Sequence, residues 1–238
     1  MMDSFGSVLK NVLTEFDIGI SDEAREKLSR YYELLIEWNE KMNLTAITEP
    51  EDVALKHFAD SLSLLSHVDL RQGSSVIDVG TGAGFPGMVL KIARPDIRLT
   101  LLDSLNKRLS FLDEVCSELG IDDVALIHSR AEDGSRTELR DSFDCAVSRA
   151  VASLNVLCEY DMPYVKVGGR FIAMKGKDAQ TEIDGAESAV KELCGEIKAV
   201  HSFELSSAGE RCIIEIEKTA PTPDRYPRKS KAINNKPL

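Results

Sequence analysis

The stretch that decides the fold reads VIDVGTGAGFPG and spans residues 76–87. It opens with an apolar run that contains one acid, Asp78, and continues with glycine at positions 80, 82, 84 and 87. A strand that ends in closely spaced glycines lets the backbone approach a ligand at the carboxyl edge of a parallel sheet. The stretch therefore predicts a strand, a ligand-binding loop and a helix in succession.

The sequence after residue 75 alternates short apolar runs with longer helical patterns. Strands that alternate with helices indicate βαβ units and a parallel sheet. A short Ser/Gly turn joins the last two runs, so we expect them to form an antiparallel hairpin at one edge of a mostly parallel, seven-stranded sheet. The strands are predicted at residues 75–79, 98–103, 124–128, 143–148, 170–175, about 197–205 and 211–217, with Gly168–Gly169 as a turn before the fifth.

The first 70 residues are predicted to form a helical extension. Ser21 precedes an acidic first turn, which is typical of a helix N-cap, and apolar residues then recur at helical spacing as far as Trp38. We expect Trp38 in the core and a second helix over about residues 50–67. The predicted organisation is an extension (1–70), a ligand-binding domain (71–217) and a C-terminal arm (218–238).

The charge of the chain is unevenly distributed. The chain of 238 residues has a net charge of −11, but its last 21 residues hold six Lys or Arg and one Asp, so they carry +5 and the rest carries −16. Four of the eight prolines also lie in this tail. Proline disrupts helices and strands, so we expect a basic, extended arm without regular structure. An acidic body argues against a bulk electrostatic nucleic-acid binder, whereas a basic arm permits local phosphate contacts.

Composition excludes several classes of protein. Hydrophobic residues make up 43% and charged residues 29%, as in ordinary globular proteins rather than disordered or collagen-like chains. The five cysteines are scattered and odd in number, so we expect free thiols rather than a disulfide framework. We find neither a signal-peptide pattern nor a long apolar run, which predicts a cytoplasmic protein without a membrane span. The histidines show no metal-ligand spacing, so no metal is predicted.

Two ligand classes fit the glycine loop. Gly82-x-Gly84-x-x-Gly87 matches the dinucleotide fingerprint, and Asp103, at the end of the second strand, is the acid that binds ribose in either class. Asp78 favours S-adenosylmethionine over NAD, because a carboxylate facing the loop would repel a pyrophosphate and stabilise an ammonium or sulfonium. After the third strand, Ala131 and Glu132 are placed to meet an adenine ring. NAD and a ligand-free βα turn stay open as alternatives.

Several short blocks together resemble one family. They are Trp38-Asn39, Asn43–Thr45, His57–Ser61, Asp78–Gly87, Leu101–Ser104, Lys107-Arg108, Ser129–Glu132, Ser148–Ala150, Lys175-Gly176, Tyr226–Lys229 and Lys236–Leu238. In combination they are similar to the RsmG family, also called glucose-inhibited division protein B, of bacterial small-subunit rRNA guanine-N7 methyltransferases. The chain departs from the family pattern at Ala83, where some relatives have proline, and in the tail, which lacks a Gly/Pro link near residues 229–236.

The resemblance implies a class I S-adenosylmethionine-dependent methyltransferase fold, Rossmann-like, with an N-terminal helical extension. It implies methyl transfer to N7 of one guanosine in a loop of 16S ribosomal RNA, with naked RNA or an assembling small subunit as substrate. The cofactor residues expected from the loop, the strand ends and the matching motifs are Gly80, Gly82, Gly84, Phe85, Asp103, Ala131, Glu132 and Arg149.

Guanine N7 carries an in-plane lone pair and no proton, so we expect direct in-line attack and name no catalytic base. Arg149 is a candidate for orienting cofactor or RNA, and His57 and Asp60 could be either a lid or a packing pair. Candidate RNA contacts are Lys175, Arg225, Arg228 and Lys229. Two other classes stay open, a small-molecule methyltransferase and a nucleotide-binding module without methyl chemistry. Nothing in the sequence indicates more than a monomer.

Overall fold

The computed structural model describes residues 2–149 and 151–238, with side chains from residue 4 onward. Met1 and Ala150, which fall in the predicted extension and in the block 148–150, lie outside the described residues. The helices are α1 (Met2–Glu15), α2 (Asp22–Met42), α3 (Pro50–Val53), α4 (Asp60–His67), α5 (Gly87–Ala93), α6 (Asn106–Leu119), α7 (Ala131–Gly134), α8 (Leu154–Asp161), α9 (Ala179–Glu192) and α10 (Ser230–Asn235). A π-helical segment (Ala54–Ala59) joins α3 to α4, and short 3-10 turns cover Met162–Tyr164 and Ser206–Ala208.

Seven strands form one sheet. They are β1 (Ser75–Val79), β2 (Arg98–Asp103), β3 (Val124–His128), β4 (Phe143–Arg149), β5 (Val165–Lys175), β6 (Gly195–Glu204) and β7 (Glu210–Lys218), in the spatial order β3-β2-β1-β4-β5-β7-β6. The first five pair in parallel, and β7 runs antiparallel to both of its neighbours, β5 and β6. The predicted α/β class, the parallel sheet and the edge hairpin are confirmed. Because β1 is the middle one of the five parallel strands, the loop that follows it opens at the middle of their carboxyl edge.

Local sequence explains most of the boundaries. Ser21 caps α2 by accepting a hydrogen bond from the Ala24 amide at 3.1 Å, and α6 ends at Gly120 in the left-handed region. One prediction was wrong: Gly168–Gly169 is not a turn before the fifth strand. β5 begins at Val165 and runs through both glycines, and its register against β4 shifts between Phe143 and Cys145. A register irregularity of this kind accommodates glycines inside a strand.

Helices cover both faces of the sheet. One face packs against α5 and α6, and the N-terminal helices extend the same core, because Tyr31 and Leu35 of α2 belong to the buried cluster that contains Val76 and Phe111. Trp38 packs at the edge of this cluster, with its ring 5.7 Å from that of Phe111, as expected for a core residue. The other face buries β1, β4 and β5 against α8 and α9. The helical extension therefore supports the same sheet edge as the glycine loop.

The C-terminal segment, residues 219–238, does not form the extended arm that its composition predicts. It ends in α10, and Tyr226 and Ile233 are buried. Arg140 donates to the carbonyl oxygens of Thr222 and Tyr226, which fastens the segment to the body. The prolines precede or follow α10, so they leave a proline-free stretch that can turn into helix.

The structure also bears on the expected free thiols and on the search for membrane-spanning helices. All five cysteines are free, and Cys145, Cys158 and Cys212 are buried. Burial raises the pKa of the Cys116 thiol to about 11, so this half-buried group is a poor nucleophile at neutral pH. In the part of the chain that the structure describes, no helix is long and apolar enough to cross a membrane.

Candidate functional site

The glycine loop, residues 80–86, is held by its own backbone. The amides of Gly80 and Thr81 both donate to the Leu102 carbonyl oxygen, at 2.9 and 3.1 Å, which ties the loop to the end of β2. Gly84 has a φ of +94°, and a Cβ there would overlap the Tyr31 hydroxyl and lie 2.7 Å from Leu112 Cδ2. Only glycine lets the backbone at position 84 lie this close to Tyr31 and Leu112, which explains the glycine that the sequence has there.

Asp78 fastens the loop from its buried side. Its Oδ2 accepts hydrogen bonds from Thr81 Oγ1 and from the Gly87 amide, both at 2.8 Å, whereas Oδ1 has no partner among the described residues. Burial raises the pKa of this carboxyl to about 6. Asp78 is not among the described residues that line the cavity beside the loop. Asp78 therefore faces the loop, as expected, and its bonded oxygen Oδ2 fastens the loop from below. Its effect on a bound ammonium or sulfonium stays a prediction.

A cavity of about 1030 Å³ opens at the carboxyl edge of the sheet, above β1, β2, β4 and β5. Seven of the eight predicted cofactor residues line it: Gly80, Gly82, Phe85, Asp103, Ala131, Glu132 and Arg149. Gly84 is not among the described lining residues, since it faces Tyr31 and Leu112 in the core. The structure therefore brings together residues from four loops that the sequence had placed separately.

Asp103 closes the end of β2 and is almost fully buried. Its Oδ2 accepts from the Gly82 amide at 3.0 Å and its Oδ1 from the Leu105 amide at 2.8 Å, and Arg108 Nη1 lies 3.2 Å from Oδ2 and 3.5 Å from Oδ1. Asp103 therefore holds the loop in register with β2, and it lines the cavity.

The loop after β3 forms α7 and supplies the opposite wall. Tyr164 donates from its hydroxyl to the Ala131 carbonyl oxygen at 2.7 Å, which positions the first turn of α7. Glu132 is buried and lines the cavity. Together with Leu102 and Leu157, these residues form an apolar slot with one carboxylate, a surface suited to a flat heterocycle that carries an amino group.

The π-helical segment brings the N-terminal helices onto the cavity. His57 stacks on Phe85 with ring centroids 4.8 Å apart, and its Nε2 lies 2.8 Å from Thr45 Oγ1. Burial, together with the nearby charge of Arg149, lowers the pKa of His57 to about 4, so the imidazole is neutral at physiological pH. A π-helix carries one extra residue per turn and occurs often at functional sites. His57 thus lines the cavity and packs on the loop residue Phe85, and its predicted role in a lid stays a prediction.

Asp60 joins two arginines from distant parts of the chain. Its Oδ2 accepts from Arg149 Nη1 at 2.7 Å, and its Oδ1 accepts from Arg211 Nε at 2.9 Å. Arg149 also donates to the Lys56 carbonyl oxygen at 2.8 Å and lies 5.3 Å from the centre of the Phe85 ring. All three charged groups line the cavity. Arg149 is therefore held by the extension through a largely buried salt bridge.

The comparisons with known proteins identify the family. A family model described as "GidB: rRNA small subunit methyltransferase G" matches residues 24–212. The chain belongs to this family. The "Ribosomal RNA small subunit methyltransferase G" of Geobacillus sp. (strain WCH70) is 49% identical over 229 residues, which cover 95% of this chain and 96% of the relative. The protein of the same name from Alkaliphilus oremlandii is 49% identical over 236 residues, covering 97% and 99%. The predicted resemblance and the assignment as a methyltransferase are confirmed.

A solved structure of low sequence identity supports the fold alone. The chain of M. jannaschii TYW2 in complex with AdoMet matches with a TM-score of 0.51 and 13% identity, over 62% of this chain and 70% of that chain. The class I methyltransferase architecture of this GidB-family chain is therefore confirmed.

Arg211 was missed by the sequence analysis of this GidB-family methyltransferase. It lies 151 residues from Asp60 along the chain, so no local spacing connects the two. The hairpin offers the only usable signal. β7 pairs with β5 so that Cys212 lies opposite Lys175, which places Arg211 at the carboxyl edge of the sheet. A prediction of strand register would have found it.

The predicted RNA contacts do not share one environment. Lys175 lines the cavity but is buried, with Nζ 2.7 Å from Glu182 Oε2 and also bonded to the Ala152 carbonyl oxygen. Arg225 pairs with Glu192 at 2.7 Å. Of the four, only Lys229 is exposed and without an ion pair among the described residues.

Arg228, predicted to contact RNA, instead forms an ion pair inside the protein. Glu159, with no exposed side-chain area, accepts from the Arg228 amide at 2.7 Å, from Nε at 2.9 Å and from Nη2 at 2.6 Å. A buried carboxylate with a fork-like partner is a structural ion pair. Arg228 therefore anchors the C-terminal segment to α8.

The cavity also contains an unpaired acid and no evident metal site. Asp161 is buried at the cavity wall, and neither of its carboxylate oxygens has a partner among the described residues. Burial raises the pKa of this carboxyl well above its usual range. In the described part of the chain, no cluster of three or more His, Cys, Asp or Glu side chains could hold a metal ion.

Proposed function

We propose that this chain transfers the methyl group of S-adenosylmethionine to N7 of a guanosine in a loop of 16S ribosomal RNA. The observation that carries the proposal is the convergence of seven predicted cofactor residues on one cavity of a GidB-family fold. The full-length relatives are named ribosomal RNA small subunit methyltransferase G, which supports ribosomal RNA as the substrate.

The hydrogen bonds of the glycine loop argue for S-adenosylmethionine over NAD. A pyrophosphate is bound by free backbone N–H groups at a helix N-terminus. Here the N–H groups of residues 80, 81, 82, 84, 85, 87 and 88 all donate within the protein, two of them to carboxylates. With these seven donors already engaged, the loop offers a pyrophosphate little, whereas its backbone still accommodates a ligand without phosphates.

The remaining lining residues fit S-adenosylmethionine. The Asp103 carboxylate lines the cavity where it can accept from ribose hydroxyls, and the slot beside Ala131 and Glu132 suits an adenine with its amino group. Gly80 and Gly82 leave the backbone accessible. When bound, this cofactor supplies an electrophilic methyl group. The residues of the chain bind and orient it, and the cavity limits the access of water.

The chemistry at guanine needs no general base. N7 of the neutral base presents an in-plane lone pair and loses no proton during methylation, so catalysis depends on alignment and on stabilising the charge that moves onto the base. His57 is neutral, and Asp60 is neutralised by two arginines. We infer that these groups fix the position of Arg149 at the cavity and do not transfer protons.

The proposal is tested by a methylation assay with a position-specific readout. The protein is incubated with S-adenosylmethionine labelled in the methyl group and with either unmodified small subunits or naked 16S RNA. Reduction followed by aniline treatment cleaves RNA at N7-methylguanosine, so a single cleavage site coincident with the label is the expected result. Label on another atom of the base, or no label on either RNA while S-adenosylmethionine binds, would contradict the proposal.

Comparing the two substrates also shows whether the enzyme acts on free RNA or on an assembling particle. Label on the small subunit but not on naked RNA indicates an assembling particle as substrate, and the reverse indicates free RNA. Methylation of small molecules in a metabolite extract, with RNA unlabelled, would favour the small-molecule alternative that the acidic body leaves open.

A further inference from the structure

Exposed cations without ion pairs surround one side of the cavity. Arg130 lines the cavity, Lys177 follows the lining residue Gly176, and Lys229 and Lys231 flank the lining residue Ser230. All four cations are exposed, and none forms an ion pair with another described residue. They differ in this from the predicted contacts Lys175, Arg225 and Arg228, each of which pairs with a carboxylate.

Packing brings these cations to the same side of the cavity. Ile233 of α10 is buried against Val156 and Tyr160 of α8, and Ala131, next to Arg130, packs at the edge of this cluster. The Tyr160 hydroxyl lies 3.3 Å from Ser230 Oγ, between the two lysines. Arg130, Lys229 and Lys231 are therefore carried by elements that touch one another.

The segment that carries Lys177 is tied to the same helix. Glu182 accepts a hydrogen bond from the Leu154 amide at the start of α8, at 2.7 Å, and it also pairs with Lys175. α8 thus connects the end of β5 with α10. The four cations form a rim on the α7–α8–α10 side of the cavity, which lies across from the N-terminal helices that carry His57 and Asp60.

We propose that Arg130, Lys177, Lys229 and Lys231 form the docking rim for the phosphates of the RNA substrate. The proposal rests on the proposed function, and it replaces Lys175, Arg225 and Arg228 as phosphate contacts. Charge complementarity identifies the partner. The first 217 residues carry −16, so a polyanion can approach closely only where unpaired cations outnumber acids. On these segments the exposed acids are Asp133 and Asp178.

The experiment compares two sets of charge-removing variants. The rim variant is Arg130→Ala/Lys177→Ala/Lys229→Ala/Lys231→Ala, and a partial variant carries only Lys229→Ala/Lys231→Ala. The matched control is Arg71→Ala/Arg98→Ala, because these exposed arginines precede β1 and open β2 at the opposite edge of the sheet and form no ion pair with a described residue. The control and the partial variant remove the same charge.

The readouts are the Kd for naked 16S RNA as a function of salt and, separately, the Kd for S-adenosylmethionine. Each lost phosphate contact makes the negative slope of log K against log salt shallower by about 0.7–0.9. We expect the slope of the partial variant to be shallower by about 1.5, and its RNA binding to be about tenfold weaker near 0.1 M salt. We expect the control to match the wild type, and S-adenosylmethionine affinity to stay within about twofold in the partial variant and the control.

The outcomes distinguish the two proposals. If the wild type methylates RNA while rim and control variants share its salt slope, the rim proposal is wrong and the proposed function stands. If RNA binds in a rim-dependent way but no N7-methylguanosine forms, the rim stands and the proposed function falls. If the rim variants bind naked RNA normally but bind small subunits weakly, a ribosomal protein contacts the rim, and the assignment to RNA phosphates is overturned.

Discussion

The glycine loop and the C-terminal segment both border the cavity, yet the loop is held by its own backbone and the segment by ion pairs with distant residues. In the loop, glycine at position 84 meets a local demand, since its φ of +94° and its contact with Tyr31 exclude a side chain. In the tail, the cations Arg225 and Arg228 find carboxylates 33 and 69 residues away. A conformational constraint on one residue can be seen in the neighbouring sequence, whereas the partner of a charged side chain is known only once the chain has folded.

The largest effect is expected where the loop tolerates no side chain. Gly84→Ala combines a left-handed backbone conformation with overlap at Tyr31 and Leu112, each of which costs about 1–3 kcal/mol, so unfolding free energy should fall by about 4 kcal/mol. Gly82→Ala is the control, because its φ is +60° but nothing lies within 4 Å of the added Cβ. Urea denaturation should show a loss of about 1 kcal/mol there. Equal losses at both positions would mean that packing plays no part.

The tail supplies the next effect. Arg228→Ala leaves the buried carboxylate of Glu159 without its charged partner, which should cost about 3 kcal/mol of unfolding free energy. Arg225→Ala is the matched control, because Arg225 is 67% exposed and its partner Glu192 is 40% exposed, so its removal should be undetectable by urea denaturation. If the two substitutions were equivalent, Arg228 would be the free surface cation that composition suggested.

This pairing also changes how the tail should be tested. Composition alone suggests that removing the tail weakens RNA binding and spares S-adenosylmethionine binding. In the structure Ser230 lines the cavity, and Tyr226 and Ile233 are buried. We therefore expect truncation after residue 220 to destabilise the cavity wall and to impair binding of both ligands. Point substitutions at exposed lysines isolate the RNA contacts.

The strands show how much of the fold could be predicted. β1, β2 and β3 lie at the predicted residues because each is a short apolar run between turn residues. β5 was predicted too short, because Gly168–Gly169 signals a turn locally but is carried in the strand by a register shift against β4. Whether a glycine pair breaks a strand depends on the neighbouring strand, which a single sequence does not show.

The candidate site was predictable to the extent that its residues follow strands. Phe85, Asp103 and Arg149 end or follow parallel strands, so topology alone brings them together. Arg211 and the unpaired Asp161 come from the antiparallel strand and from the end of a helix, where no motif marks them. Asp78 faces the loop as expected, but its hydrogen bonds to Thr81 and Gly87 form only once the loop is folded, so the sequence did not show them.

The buried side of the loop has a pH signature. The folded pKa of Asp78, about 6, lies above its unfolded value, so the folded state holds the proton more tightly and unfolding free energy falls as pH rises from about 4 to 6. Asp78→Asn removes this contribution, so the stability of the wild type relative to the variant should decline by up to about 3 kcal/mol over that window.

His57, on the cavity side of the same loop, should change stability with pH in the opposite direction to Asp78. Its folded pKa of about 4 lies below its unfolded value, so stability is gained as pH rises from about 4 to 6.5. The stability of the wild type relative to His57→Gln should therefore increase over that window, as measured by urea denaturation at fixed ionic strength. A decline for both variants, or a rise for both, would show that the two groups do not titrate as their environments require.

The smallest expected effect comes from comparing two tail residues, Tyr226 and Arg225, that bind the same carboxylate. Glu192 accepts from the Tyr226 hydroxyl at 2.6 Å and from Arg225 Nη2 at 2.7 Å, and its pKa is lowered first by the hydroxyl and then by the guanidinium. Tyr226 is buried and Arg225 is exposed, so one acid meets two partners of different rigidity. Tyr226→Phe should lower unfolding free energy by about 0.5–1 kcal/mol. The Arg225→Ala control should leave it unchanged. A larger loss from Arg225→Ala would mean that the ion pair with Glu192, and not the packing of the buried Tyr226 ring, holds the segment at this point. The tail would then differ from the loop in that charge pairing alone stabilises it.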